Sequence, residues 1–599
     1  MNFTLLIVLV SLLVASVAKG SDLRWAPKPA DRARVLADGL VASRDALANS
    51  LIVAYQPGGP LRPGSTGVTA FRSWMFLWKW CDLLSRTEKS EAARHLAAHL
   101  RLSPEGKLMF FGPGYVPGPE LKLLEVEEVI RMPSEFAEEG FGAVLPADLA
   151  SPTDQSMFEK LDPAIVAEWI NDQDLSRLLF ENLTDKDYVP GALLRLHEIH
   201  QVNAQKFREY RSLAVALALV YDQKFPRFWP HRQVDQKDVP MINTSVGEQF
   251  KFWVQSNESR ALFYDLRMLS PAQIKYIVDA PVAPSELEWA RKFVRYQRSE
   301  FSKAFDAVSY SMDRVTSRRF RWTNGAYTLQ NIRQHDGICV DQAYYAMIAG
   351  KARGLPTLFF TGQGAQGGHA WFGYMKSENR WELDCGRYKN QNYAVGEALD
   401  PQTWSPISDH KLEFQARGLR EGLEYFSSQD DILIGRMMED RGDKAKALKA
   451  YESAIQVCPR NEAGWAAKAD YLLRTGAPLN TLKTHHEAAL RQFLTDRDIR
   501  VGQQVALAGI ARKEGALAEA EALERQVIAQ NKRRRSDLSV SVAAQKITSL
   551  IAGKQFDEAF TEYRRQLSNL GKTGGGNFFY DIVQPFAEAL VAAGNQRQA

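Results

Sequence analysis

The chain has 599 residues, 45% of them hydrophobic, which is enough to bury several cores; at roughly 150 residues per domain it predicts three or four units. Lys and Arg number 75 against 71 Asp and Glu, a net +4, too near neutral to point to nucleic acid or another polyanion as a partner. Four cysteines, Cys81, Cys339, Cys385 and Cys458, are too few and too scattered for a disulfide scaffold; an oxidising compartment would allow Cys81 to pair with Cys385 or Cys458, and every pairing stays open at this stage.

The run Phe3 to Val17 is uncharged and almost wholly apolar, and Ala18 and Gly20 form an A-x-G cleavage pattern before Ser21 and Asp22. Residues 1–20 therefore read as a secretory signal peptide, departing from the usual form in having no Lys or Arg ahead of the apolar run. The protein is expected to be exported, periplasmic or secreted. An uncleaved anchor is the rival reading, but the run is shorter than the ~20 residues a spanning helix needs. Later apolar stretches such as Leu213 to Tyr221 are bounded by charge at Arg211 and Asp222, so no stable membrane insertion is expected after signal removal.

Residues 21–300 read as a mainly helical region, with apolar spacing from Arg32 to Ala54, Arg72 to Leu84 and Gly191 to Asp222, interrupted by the Pro/Gly-rich stretches 57–67 and 112–120. The aromatic block 71–80, FRSWMFLWKW, is expected to be a buried amphipathic face rather than a ligand surface. His95 and His99 have the i,i+4 spacing of zinc-binding helices but lack the intervening Glu, and His197 and His200 miss the spacing; no metal site is expected from either pair.

Chemistry concentrates between Thr328 and Leu399. In DGICVDQAYYAMIAGKARGLPTLFF (336–360), small and apolar residues predict a helix that begins near Cys339 and ends near Gly354-Leu355-Pro356. A cysteine at a helix N-terminus meets unpaired amides and the positive dipole end, both of which favour thiolate; a structural cysteine in the same helix is the rival. The β-type run TLFFTG follows, then HAWFGYM (369–375), a polar turn, and WELD (381–384). Folding this hairpin about Ser377-Glu378 sets His369 opposite Asp384, so that the carboxylate would orient the imidazole and the other ring nitrogen would face Cys339. His335 competes as base but has only the adjacent Asp336 to orient it. Asp341 reads as an exposed first-turn carboxylate stabilising the helix dipole, not as a catalytic group.

Taken together, GICVDQA, RGLPT, GHAW and W-x-x-D resemble the transglutaminase-like core of the papain-like cysteine fold, over about 328–390. The resemblance implies Cys339 as nucleophile, His369 as general base and acid, and Asp384 as its orienter. Asp384-Cys385-Gly386 departs from the Asp-Pro of many relatives. One oxyanion donor is expected from the Cys339 amide, and Trp322, Gln330 and Gln334 are the candidates for a second. After Ser427, Ile434-Gly435, Met438, Gly442, Ala447, Tyr451, Ala454 and Pro459 resemble the tetratricopeptide repeat, with weaker copies at Trp465–Gly476, Ala508–Ala520 and Ala559–Tyr563. Lys532 to Arg535 are read as a solvated helix end.

The expected fold is multidomain α+β: a helical region (21–300), a papain-like, transglutaminase-like domain (301–426) and an α-solenoid of tetratricopeptide-like helix pairs (427–599). The expected function is attack on an amide carbonyl through a Cys339 thioester, with the acyl group passing to water or an amine. Many proteins with this core act as proteases or amidases, so the resemblance favours hydrolysis over protein cross-linking. The substrate would be a protein or peptide, and a protein partner would sit on the repeats; the thiolate-imidazole mechanism requires no cofactor. The rival is a non-catalytic scaffold in which the repeats bind a partner and the cysteine domain is structural.

Overall fold

The computed structural model of the protein describes residues 25–57, 68–91, 154–418 and 422–594 apart from a few single positions, and between them two short paired strands, β1 (Leu100–Leu102) and β2 (Leu108–Phe110). The signal-like segment, the His95/His99 pair and the loop 112–120 lie outside the described residues. No described helix is long and apolar enough to cross a membrane. The fold mixes many helices with one antiparallel five-stranded sheet.

The chain divides into two compact units that cut across the expected boundaries at 300 and 426. One gathers Met1–Glu91, Thr153–Leu183 and Arg417–Leu494, the other Ala92–Pro152, Thr184–Ala416 and Thr495–Ala599. In the first, the segment expected as one helix from Arg32 is two, Pro29–Asp38 and Leu40–Ala54, because Gly39 breaks it at φ 91°. The aromatic block lies on the helix Val68–Leu84 and is core: Phe71, Trp74, Phe76 and Trp80 are buried, and the Trp80 indole donates to Ser176 Oγ at 2.9 Å. Buried Arg72 on the same helix is neutralised by Asp430 at 2.7 Å and Glu181 at 2.9 Å.

The first repeat-like pair consists of the helices Leu423–Asp440 and Lys444–Val457, with Gly435 close against the Tyr451 ring and Ala447 and Ala454 fully buried. Gly442, expected at a close helix contact, instead turns the chain between the helices at φ 79° with nothing near its missing side chain. Ala447→Glu would bury an unpaired carboxylate and is expected to cost about 3 kcal/mol or more. A melting transition unchanged from the parent protein would contradict that packing.

In the second unit, the expected Gly191–Asp222 helix is divided at Asn203, whose side chain caps a new helix by accepting from the Lys206 amide, giving Val189–Val202, Ala204–Glu209 and Arg211–Val220. The last of these is buried from Leu213 to Val220, which accounts for its apolarity. The main sheet runs β5 (Arg380–Cys385), β4 (Gly367–Ser377), β3 (Thr357–Gly364), β6 (Glu397–Leu399), β7 (Pro406–Ser408), all pairs antiparallel. The helix Cys339–Ala352 packs on one face of it: Gly350 has no side chain where Thr357 of β3 presses in, and the Thr357 hydroxyl donates to the Met347 carbonyl at 2.9 Å. Every residue of that helix from Val340 to Ala352 is buried. Lys351, at its far end, is fully buried and held by Asp279 at 2.5 Å and by the carbonyls of Tyr276 and Thr357.

Helices from Arg497 to Leu570 continue this unit around an apolar cluster that includes Val527, Val540, Ala543 and Leu570. Arg535, read from the sequence as part of a solvated run, is buried: with Asp498 and Asp537 supplied by neighbouring helix turns, its guanidinium is paired on both sides.

Candidate active site

Cys339 is the first residue of its helix and half-buried, whereas the other three thiols are buried; none of the four is in a disulfide. The backbone amides of Ala370, the residue after His369, and of Val340 and Cys339 itself face the sulfur. These donors favour thiolate, as expected of a helix N-terminus, but burial outweighs them and, with Asp341 nearby, pushes the Cys339 thiol above its ordinary value. The expectation of a depressed thiol is therefore corrected: desolvation exceeds the dipole.

His369 is buried at the start of β4, and its Nε2–H donates to the Gly386 carbonyl at 2.7 Å. A carbonyl only accepts, so this bond fixes the tautomer with the proton on Nε2 and leaves the Nδ1 lone pair as the base. Burial holds the imidazole below the usual histidine range, opposed by the Gly386 bond. The ring is stacked on Tyr388 at 4.0 Å and on Tyr393 at 5.3 Å between centroids. No hydrogen bond joins the thiol to the imidazole, whose Nε2–H is held by the Gly386 carbonyl.

The structure does not bring Asp384 to His369. The β4–β5 hairpin forms where expected, but it closes with Ser377 opposite Arg380, and that register, restored after two irregularities that cancel, sets Cys385 opposite Phe372. Asp384 consequently stands beside the Phe372–Gly373 level, three or more residues from His369. Its side chain is 66% exposed and accepts from Arg387 at 2.8 Å. The same Arg387 nitrogen reaches buried Asp409 at 2.8 Å, and its guanidinium lies over Trp371 at 4.7 Å. What orients His369 is Gly386, where this chain departs from Asp-Pro. Its φ is 91°, and a Cβ there would meet the Phe305 ring at 2.6 Å, so only glycine turns that carbonyl toward the imidazole. Asp384→Asn is therefore expected to keep turnover within about threefold, since no charge on the imidazolium is lost. A fall of several orders of magnitude in kcat would restore Asp384 as the orienter.

Asp341 is the second correction: it is buried, not exposed. Its Oδ2 accepts from the Ile338 amide at 2.8 Å and from Arg314 at 2.6 Å, and its Oδ1 from the Tyr327 hydroxyl at 2.7 Å. Tyr327 in turn accepts from His231 Nε2 at 2.8 Å, while His231 Nδ1 takes the Gln233 amide at 3.3 Å. Every donor in this chain points toward the carboxylate that holds the first turn of the Cys339 helix. Burial lowers His231 to about 4, keeping it neutral.

Among the other candidates, His335 is exposed and bonded to the Asn331 carbonyl, away from the thiol's partners. Trp322 spends its N–H on the Gly325 carbonyl, and Gln330 and Gln334 are exposed, so none of the three stands as an oxyanion donor here. His200 packs edge-on against Phe207. Sequence reasoning missed Tyr310, Tyr388 and Tyr393: proximity of Cys339 contributes, after burial, to raising all three hydroxyls, and the first two are each 37% exposed. No motif marks them, since each is placed by a turn rather than by a period.

No family model matches the chain, and no curated protein or solved structure matches it.

Proposed function

We propose that the protein is an exported cysteine enzyme of transglutaminase-like type that attacks an amide carbonyl through Cys339. The observation that carries this reading is the placement of Cys339 at the first position of its helix, with the backbone of Ala370, the residue after a histidine whose Nδ1 is left basic, facing it. As the sulfur attacks the carbonyl carbon, the thiol proton passes to His369 Nδ1. The oxyanion forms beside the amide at the helix start, and collapse breaks the C–N bond, the amine leaving with the proton from the imidazolium. The resulting thioester passes its acyl group to water or to an amine, completing hydrolysis or transfer. Because burial favours the neutral forms of both groups, the resting pair is thiol and imidazole, and the thiolate forms as substrate is attacked. The resemblance favours water as acceptor.

The test is to incubate the protein and its Cys339→Ala variant with soluble proteins of an exported fraction and score cleaved, deamidated or cross-linked products by mass spectrometry. Products made by the parent protein and absent with Cys339→Ala support the reading and identify the acceptor. Identical product lists would leave the cysteine domain as a structural module.

A further inference from the structure

The Gly386 carbonyl that holds His369 Nε2 belongs to a tight turn. Asp384 opens the turn and Arg387 closes it, the Arg387 amide donating to the Asp384 carbonyl at 3.1 Å. Gly386 is its third residue, at φ 91°, the position where such a turn takes glycine. One main-chain bond closes the turn, and the aim of its Gly386 carbonyl sets the bond to the imidazole.

The residue that follows that carbonyl is held from four sides. Arg387 Nη1 donates to Asp384 Oδ1 and to Asp409 Oδ2, each at 2.8 Å, and Nη2 donates to the Tyr393 carbonyl. The guanidinium lies over the Trp371 ring at 4.7 Å from its centroid. Asp409 is buried and the Arg387 side chain is 15% exposed, so this is not a loose surface ion pair. Asp384, which is exposed, supplies only one of the two carboxylates, and Asp409 holds the guanidinium without it.

Trp371 carries the restraint to the strand that bears the histidine. It stands two residues after His369 on β4, hence on the same face, with its ring nearly parallel to the imidazole at 6.0 Å between centroids. Its indole N–H donates to the Leu383 carbonyl at 2.9 Å, one residue ahead of the turn. Arg387 therefore touches both partners of the Nε2–H bond: the turn that offers the carbonyl, and the strand that offers the imidazole. The two neutral tautomers of a histidine are chosen by such a bond, and a carbonyl that swings away lets the proton move to Nδ1, where it removes the base.

We propose that Arg387 is a positioning residue: by fixing the Gly386 carbonyl against the Trp371 side of β4, it keeps the His369 proton on Nε2 and leaves Nδ1 free to take the thiol proton. Lysine would not replace it, because a point charge cannot fork to two partners and lie flat on an indole. The consequence for rate rests on the cysteine-enzyme reading; the tautomer does not.

The experiment reads the tautomer directly, from the imidazole ¹⁵N shifts of the full chain labelled at histidine, above the pH range in which imidazole is charged. The His369 signals are those missing from His369→Gln. The parent protein should show the proton on Nε2 and a bare Nδ1, and Arg387→Gln should mix the tautomers and slow acylation of Cys339 by p-nitrophenyl acetate about tenfold. Because that variant leaves Asp409 buried without its cation, Arg387→Gln/Asp409→Asn is measured beside it, and a melting transition matching the parent's identifies the variant to read. A folded variant that keeps the proton on Nε2 would overturn the proposal. So would mixed tautomers with an unchanged acylation rate in a protein whose acylation does depend on His369. Tautomers that mix in a protein whose His369→Ala form is acylated as fast as the parent would uphold the positioning of the imidazole and overturn the catalytic reading alone.

Discussion

Cys339→Ser and His369→Ala are each expected to reduce acyl transfer by about a thousandfold or more, and the double variant to be little worse than either, because a nucleophile and its base act as one unit. Hydroxyl for thiol keeps the shape but loses the more acidic and more nucleophilic group. Alanine at 369 removes the imidazole whose Nδ1 lone pair is left as the base. The pH profile carries the sign of the burial: since His369 lies below the ordinary imidazole value, its basic form persists to lower pH, and the acid limb of kcat/KM should fall below about 6.5. The raised Cys339 thiol means the free protein holds little preformed thiolate near neutrality. Independent, additive losses in the two single variants would separate the residues and dissolve the pair.

Asp341→Ala is expected to cost about 3–5 kcal/mol of stability, because it leaves the buried Arg314 guanidinium without its carboxylate and orphans both the Tyr327 hydroxyl and the Ile338 amide. Asp341→Asn, able to accept but not to neutralise, should cost less. The loss should extend to the chemistry, since the Ile338 bond holds the turn on which Cys339 begins its helix; alkylation of Cys339 by iodoacetamide in the still-folded variant should change more than that of a surface thiol introduced as a control. Thermal and denaturant unfolding read the first effect. A destabilisation below about 1 kcal/mol would mean that the His231–Tyr327–Asp341 chain does not anchor the helix.

The sequence carried the elements of the site better than their alignment. The Cys339 helix was legible because small residues run to a Gly-Leu-Pro stop, and the β3, β4 and β5 strands because apolar runs are separated by polar turns. The register between β4 and β5 was not. It depends on where the turn closes: Ser377 opposite Arg380 carries Phe372 opposite Cys385 and leaves Asp384 level with Gly373, and side-chain alternation does not say which residues close the turn. That closure leaves Asp384 facing solvent and puts the Gly386 carbonyl on His369. Asp341 was misjudged for a different reason: its partners Arg314, Tyr327 and, through Tyr327, His231 come from far upstream, and local spacing says nothing about them. The repeat-like helices were legible from Gly435, Ala447 and Tyr451, yet no repeat pattern encodes their division between two compact units at Leu494.

The central claim, that Cys339 forms a thioester with His369 as its base, is tested most directly by acylation with p-nitrophenyl acetate near neutral pH, following release of p-nitrophenolate and locating the acetyl group by peptide mass spectrometry. Acetyl is expected on the peptide containing Cys339 and not on Cys81, Cys385 or Cys458, with acylation slowed about a hundredfold in His369→Ala. Acetylation spread over several cysteines, or acylation of Cys339 at an unchanged rate in His369→Ala, would contradict it.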